Sequence, residues 1–196
     1  MKLLHLDSSA LGGYSVSRQL TAEIVTQLKR QTPTLEVDYH DLAAHPLSHW
    51  APVADANDPA AQLGNQMMEA FQAADIVVIG APMYNFSIPS QLKAWIDRIV
   101  VAGKTFRYTA NGPEGLAAGK QVIIASSRGS AYRNTPIAAM DFQENYLRSV
   151  FGFIGVTDVS FVRAEGLASG DAQKAAAITS ARESISQLAT TLANAA

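Results

Sequence analysis

Short blocks of consecutive apolar residues alternate along this chain with longer stretches in which apolar residues recur every three or four positions. Leu3 to Leu6 is the first block; it ends at Asp7-Ser8-Ser9 with Gly12-Gly13 beyond, which predicts a strand and then a loop. From Ser17 the spacing of Leu20, Ile24, Val25 and Leu28 predicts a helix stopping near Lys29-Arg30, with Pro33 after it. Leu35, Val37 and Tyr39 alternate with Glu36, Asp38 and His40, the pattern of a strand with one wetter face near a sheet edge. His45 to Pro59 holds three prolines and little periodicity, so it reads as a surface excursion. Pro59 suits a first helical position, with Asp58 as N-cap and Leu63, Met67, Ala70 and Phe71 as the inward stripe.

Asp75 to Ala81 is the clearest strand, apolar on consecutive positions as a strand covered on both faces must be, and Pro82 stops it. Pro89 opens a helix carrying Leu92, Trp95, Ile96 and Ile99. Between Gly103 and Gly119, Thr105-Phe106-Arg107-Tyr108 precedes the turn signal Asn111-Gly112-Pro113. Val122 to Ala125 is a fourth strand, running into Ser126-Ser127-Arg128-Gly129-Ser130. A helix from about Ala138 to Phe151, a strand from Val159 to Arg163 and a helix from Asp171 to Ala193 complete the chain. Five strand–helix alternations predict an α/β fold with a parallel sheet and helices on both faces. Five strands suit the doubly wound order 2-1-3-4-5, whose crevice lies outside the carboxyl ends of strands 1 and 3. Three unusual loops fall at such ends, from Ser8 to Ser17, Pro82 to Ser87 and Ser126 to Tyr132.

Composition narrows the classes. At 196 residues one domain over 1–196 is expected, and 48% hydrophobic with 16% charged residues excludes wholesale disorder. Fifteen basic against 17 acidic residues, net −2, argue against a nucleic-acid partner. The absence of cysteine removes disulfides, thiolate metal sites and cysteine nucleophiles. The longest apolar runs, Ile76 to Pro82 and Val122 to Ala125, are strand-sized against the ~20 residues of a membrane span. Asp7 cuts the first run short of a secretory core, so a cytoplasmic protein is expected.

The first loop offers Ser8, Ser9, Ser15 and Ser17 ahead of a helix; hydroxyls and free N–H groups at a positive helix end form an anion site without Lys or Arg. The same serines also serve simply as helix caps. There is no G-x-G-x-x-G, and Gly119-Lys120 precedes a strand, so neither common nucleotide fingerprint is present. The second loop, Pro82-Met83-Tyr84-Asn85-Phe86-Ser87, places large apolar groups around an amide whose donors and acceptors match the edge of a flat heterocycle. Singly, Met83 and Phe86 read as core residues; together at a sheet's carboxyl end they point to a planar ligand. In the third loop Gly129 permits close backbone approach, Arg128 faces either a ligand or a carboxylate, and Tyr132 is either exposed or cleft-lining. His45 and His49 have a metal-ligand spacing, but Pro46 and Pro52 argue against a helix there, and His5 reads as a satisfied core histidine. No hydrolase elbow, H-E-x-x-H or carboxylate pair is present.

Ser9 with Ser15-Val16-Ser17-Arg18, Ala81 to Phe86, Thr105 to Tyr108 with Asn111 to Leu116, Ser127-Arg128-Gly129 and Gly152-Phe153-Ile154-Gly155 together resemble the bacterial FMN-dependent NADH azoreductases, quinone reductases of flavodoxin-like fold. The resemblance runs from Met1 to about Gly166, and the Pro-Met-Tyr-Asn-Phe loop is its most specific part. It implies one FMN per subunit, NADH or NADPH as donor, and a homodimer with shared active sites. The phosphate would rest on Ser9, Ser15, Val16 and Ser17. The isoalloxazine would lie along Pro82, Met83, Tyr84, Asn85 and Phe86 and against Ser127, Arg128 and Gly129. Tyr108, Phe153 and Tyr132 would wall the substrate pocket. Ser130 departs from the second glycine that family members often carry and alters the pocket rim.

The resemblance further implies two-electron, ping-pong reduction of quinones, azo compounds and nitroaromatics, chemistry supplied by the flavin rather than by an acid–base pair. The competing expectation is a flavodoxin-like electron carrier without NADH oxidation of its own; a net charge of −2 gives such a carrier weak steering. A dimer surface is expected from Leu92, Trp95, Ile96 and Ile99, more apolar area than one sheet face needs, together with Phe106, Tyr108 and Phe153.

Overall fold

A computed structural model describes residues 1–52, 55 and 57–193. β1 (Lys2–Asp7) passes through a 3-10 turn at Gly12–Tyr14 into α1 (Val16–Gln31), followed by β2 (Glu36–Asp41), α2 (Pro59–Ala73), β3 (Ile76–Pro82) and α3 (Ser90–Ile99). A short hairpin, β4 (Phe106–Thr109) and β5 (Gly112–Gly115), precedes β6 (Gln121–Ser127), α4 (Glu144–Phe153), β7 (Asp158–Ala164) and α5 (Asp171–Ala193). The five longer strands are parallel, in the order β2-β1-β3-β6-β7. With the hairpin set aside this is the expected 2-1-3-4-5, and β2 is an edge strand as its alternation requires.

Strand side chains divide with the two-residue period of extended backbone. Leu4, Leu6, Val77, Ile79, Val122 and Ile124 join one core cluster with Phe71, Trp95 and Leu147. Leu3, Ile76, Val78, Ile123 and Val162 join a second with Leu20, Ile24, Ala181 and Ile185. Gly80 is required where β3 passes β1, because a Cβ there would stand 2.5 Å from the Asp7 carboxylate. The helix starts follow from capping. The Asp58 carboxylate accepts the Ala60 N–H at 2.7 Å with Pro59 in the first position, and Ser15 accepts the Arg18 N–H at 3.3 Å, so α1 begins at Val16.

Several expectations are corrected. The helix placed from Ala138 to Phe151 is a 3-10 turn at Ala138–Met140 followed by α4. Asp141 separates them, its carboxylate accepting the N–H groups of Gln143 and Glu144 at 2.9 and 3.1 Å. Asn111-Gly112 turns an antiparallel hairpin whose four-residue strands are too short to announce themselves by alternation. That hairpin docks on the end of α4: a side chain at Gly115 would collide with the backbone of Ile154 and Gly155, and Ala117 N–H donates to the Ile154 carbonyl at 2.8 Å.

Leu92, Trp95, Ile96 and Ile99 offer no partner surface, because all four are at most 1% exposed within the chain, Trp95 packing edge-on against Phe71 at 5.9 Å. Phe106 is buried as well. His5 is buried but not satisfied: its Nε2 has no hydrogen-bond partner and lies 3.6 Å from Asp7, whose carboxylate already accepts the hydroxyls of Thr21 and Tyr39. In the 45–59 excursion the described residues before Asp58 form neither helix nor strand; positions 53, 54 and 56 lie outside the described residues. Among the described residues no helix is long and apolar enough to cross a membrane.

Candidate active site

The carboxyl ends of β1, β3 and β6 open on one cleft of about 270 Å³, lined by Ser9, Ser15, Val16, Pro82, Met83, Tyr84, Ser127, Arg128 and Gly129. Nine of the residues singled out in the sequence therefore meet in one place. A hollow of about 620 Å³ beside His49, Trp50 and Val101 is larger, but no strand end feeds it. In an open α/β sheet the convergence of strand ends, not volume, marks the site.

The first loop is held against the sheet by the Ser8 hydroxyl, which donates to the Gly80 carbonyl at 2.6 Å. Ser15 and Ser17 are buried with their hydroxyl oxygens 3.0 Å apart. With the Arg18 N–H taken by Ser15, the N–H groups of Val16 and Ser17 stand at the unpaired start of α1. The Arg18 side chain is spent elsewhere, on both Asp41 carboxylate oxygens at 2.7 Å and on the Ser9 carbonyl at 2.9 Å. The Arg18 hydrogen bond, against the cost of burial and with help from the Ala44 and Ala43 N–H groups, holds the Asp41 carboxyl down to about 2. Hydroxyls and helix N–H groups remain as the donor set, and that chemistry fits a phosphate monoester.

The second loop is a two-residue turn. Tyr84 N–H donates to the Ser87 carbonyl at 2.9 Å and Ser87 N–H returns to Tyr84 at 3.1 Å, with φ of +47° at Asn85 and +72° at Phe86. Both central residues lie in the left-handed region, as the mirror-image hairpin turn demands, and glycine is the usual occupant of the second position. A phenylalanine there is strained by about 1–2 kcal/mol. The turn persists because its surroundings fix it: Met83 N–H donates to Ser127, Phe142 N–H donates to Phe86, and the Tyr84 hydroxyl meets Ser9 Oγ and the Ala10 N–H. Asn85 and Phe86 are exposed at its tip, outside the cleft lining.

In the third loop Arg128 takes the carboxylate alternative. Its buried guanidinium donates to Asp141 and Glu144 at 2.8 Å and to Glu165 at 3.1 Å, and Arg163 forks onto the same Glu144. Gln143, wholly buried, accepts from Ser126 and donates to the Ala81 carbonyl, tying this network to β3. Its backbone is engaged as well, the N–H donating to the Ala164 carbonyl at 2.9 Å and the carbonyl accepting the Leu167 N–H at 3.0 Å, so Arg128 shapes this wall of the cleft rather than donating into it. Tyr132 is neither exposed nor among the cleft residues; it is buried beneath Arg128, 5.7 Å from the guanidinium carbon, with its N–H on Glu165.

Tyr108 and Phe153 also lie outside the cleft lining. They cluster on Phe106, with ring centroids 5.5 and 4.7 Å from it, and Tyr108 is 75% exposed. Leu11, Tyr14, Leu167, Ala168 and Lys174 line the cleft and were not foreseen. Leu167 and Ala168 follow the end of β7, so the strand-end rule applied to the fifth strand would have found them. The lining holds no carboxylate, histidine or cysteine.

The fold and this cleft define a ligand-binding α/β protein, and the chain belongs to the flavodoxin-like fold family, whose pattern matches residues 1–189. Among its relatives, the FMN-dependent NADH:quinone oxidoreductase of Rhizobium meliloti (strain 1021) is 57% identical over 199 residues, spanning 95% of this chain and 96% of that protein. The FMN-dependent NADH:quinone oxidoreductase of Methylocella silvestris is 56% identical, spanning 96% and 98%. A crystal structure of azoreductase from Bacillus anthracis str. Sterne, 27% identical, superposes with a TM-score of 0.89 over 97% of this chain and 99% of that one.

Proposed function

We propose that this chain is an FMN-dependent NADH:quinone oxidoreductase that also reduces azo compounds, built as a single domain with helices on both faces of the sheet. The division of the core into two clusters supports that layering. The observation that carries the function is the cleft where a serine-lined helix start, the strained Tyr84–Ser87 turn and the Arg128–Gly129 loop meet. When bound, FMN supplies two-electron transfer, taking from NAD(P)H and giving to a flat acceptor in alternation.

The chain's own residues bind and orient. Ser9, Ser15, Ser17 and the N–H groups of Val16 and Ser17 hold the phosphate. Met83, pinned to Ser127, and Tyr84, pinned to Ser9 and Ala10, fix the ring's bed relative to the phosphate loop. The ion-pair network around Arg128 keeps the Ser127–Gly129 backbone in one shape, and Asn85, exposed at the tip of the turn, offers an amide to a ring edge that reaches past the cleft lining. A lining without carboxylate, histidine or cysteine suits a protein that leaves the chemistry to its cofactor.

The homodimer belongs to the same reading. Phe86, Tyr108, Phe142 and Phe153 are exposed, and Phe142 N–H is bonded to the Phe86 carbonyl beside the turn. Phe86 and Phe142 beside the turn, and Tyr108 and Phe153 at the far end of α4, are exposed aromatics that fit a partner subunit, each chain's Tyr108 and Phe153 serving the acceptor pocket of the other. Stopped-flow mixing of the flavin-loaded protein with NADH tests the proposal. Rapid two-electron bleaching followed by reoxidation on adding a quinone is expected; a flavin that stays oxidised until a protein donor is supplied would refute it.

A further inference from the structure

A phosphate monoester carries close to two negative charges at neutral pH, with a second pKa near 6. Yet the donors at the start of α1 are neutral, and both nearby arginines are committed: Arg18 to Asp41, and Arg128 to Asp141, Glu144 and Glu165. One cation in the cleft lining is different. Lys174 lies in the first turn of α5, and its ammonium has no hydrogen bond or ion pair to any described residue, not even to Asp171 three positions earlier. The fold brings it there. α1 and α5 pack alongside each other, with Ala181 and Ile185 in the cluster of Leu20 and Ile24 and Arg182 forked onto Glu23. Ser15 at the head of one helix and Lys174 at the head of the other consequently face the same space.

We propose that Lys174 is the charge partner of the flavin phosphate and sets the preference of this site for FMN over the unphosphorylated riboflavin. The inference rests on the flavoenzyme reading above. Lys174 is exposed, so its ammonium acts through solvent-screened attraction added to the serine hydrogen bonds, and it governs affinity and salt sensitivity rather than the placement of the ring.

The test uses the holoenzyme of the wild type, K174M and K174R, with riboflavin-exchanged enzyme as the control. Serial dilution with free flavin read by fluorescence gives each Kd, at low and at high salt. K174M is expected to raise the Kd for FMN about 3–10-fold, leave that for riboflavin unchanged and flatten the salt dependence, while K174R restores all three. An unchanged FMN Kd in K174M, or equal weakening of both flavins, overturns the proposal. So does a raised KM for NADH at unchanged FMN affinity, which would give the charge to the dinucleotide's pyrophosphate. A wild-type protein that holds no flavin would overturn the flavoenzyme reading itself.

Discussion

Replacing Phe86 separately by glycine and by alanine should reverse the usual order of those two residues. At an ordinary position alanine is the more stable, because glycine adds about 0.4–1 kcal/mol of unfolded-state freedom. At φ +72° an L-residue costs about 1–2 kcal/mol that glycine does not. The difference leaves Phe86→Gly about 1 kcal/mol more stable than Phe86→Ala. Both variants lose the ring, which is 41% exposed, so the lost burial is a little over half of the roughly 1.5–3 kcal/mol of a fully buried phenylalanine. Alanine should therefore fall about 1–2 kcal/mol below the wild type, while glycine, by relieving the strain, stays within about 1 kcal/mol of it. Urea unfolding of the flavin-free protein at one fixed concentration measures this, and in a chain of this length about 1 kcal/mol moves the melting midpoint by about 2–4 °C. Reduction of a quinone panel by the flavin-loaded variants should fall in both. An alanine variant more stable than the glycine one by about 0.4–1 kcal/mol would show that the turn is unstrained.

Three further outcomes follow from the site. Changing Ser15 and Ser17 together to alanine should weaken FMN binding by about 1–3 kcal/mol and, through the lost α1 cap, lower flavin-free stability by about 1 kcal/mol; fluorescence titration and urea melts read the two effects separately. Phe153→Ala and Tyr108→Ala should each change the KM for quinone and azo acceptors while bound FMN stays near wild-type content, and sedimentation should show two chains per particle; loss of flavin would move these residues to the cofactor. Asp41, held at about 2 against its ordinary 3.8, contributes stability that is fully present above pH 4 and is lost as pH falls through about 2. The stability gap between wild type and Asp41→Asn, about 1 kcal/mol near neutrality after solvent screening, should close across that window in acid unfolding curves.

The sheet was readable because β3 is apolar at every position and β2 alternates, two patterns that assign a central and an edge strand without further help. The cleft was readable because its loops lie at strand ends and carry residue types that loops seldom carry. Long-range pairing was not. Arg128 has three carboxylate partners 13, 16 and 37 residues away, and nothing local distinguishes that arginine from one aimed at a ligand. The apolar stripe of α3 looked excessive for one sheet face because its second neighbour, Phe71 of α2, is distant in sequence. Asn85-Phe86 shows no turn signal, since phenylalanine replaces the glycine that would give one; tertiary bonds impose the turn instead.

On the proposed reading of Tyr108 and Phe153 as acceptor-pocket walls, the contact of Gly115 with Gly155 bears on how acceptor preference can be exchanged between related enzymes. Tyr108 sits on the hairpin and Phe153 at the end of α4, yet the two segments share a seam with no room for a side chain and are joined by the Ala117–Ile154 hydrogen bond. The aromatic group on Phe106 is thus one structural unit drawn from two stretches of chain. A chimera that imports residues 106–116 from a relative while keeping the native 152–156 inherits a mismatched seam, and the rings lose their common footing. Grafting both stretches together is expected to carry the ring cluster across intact.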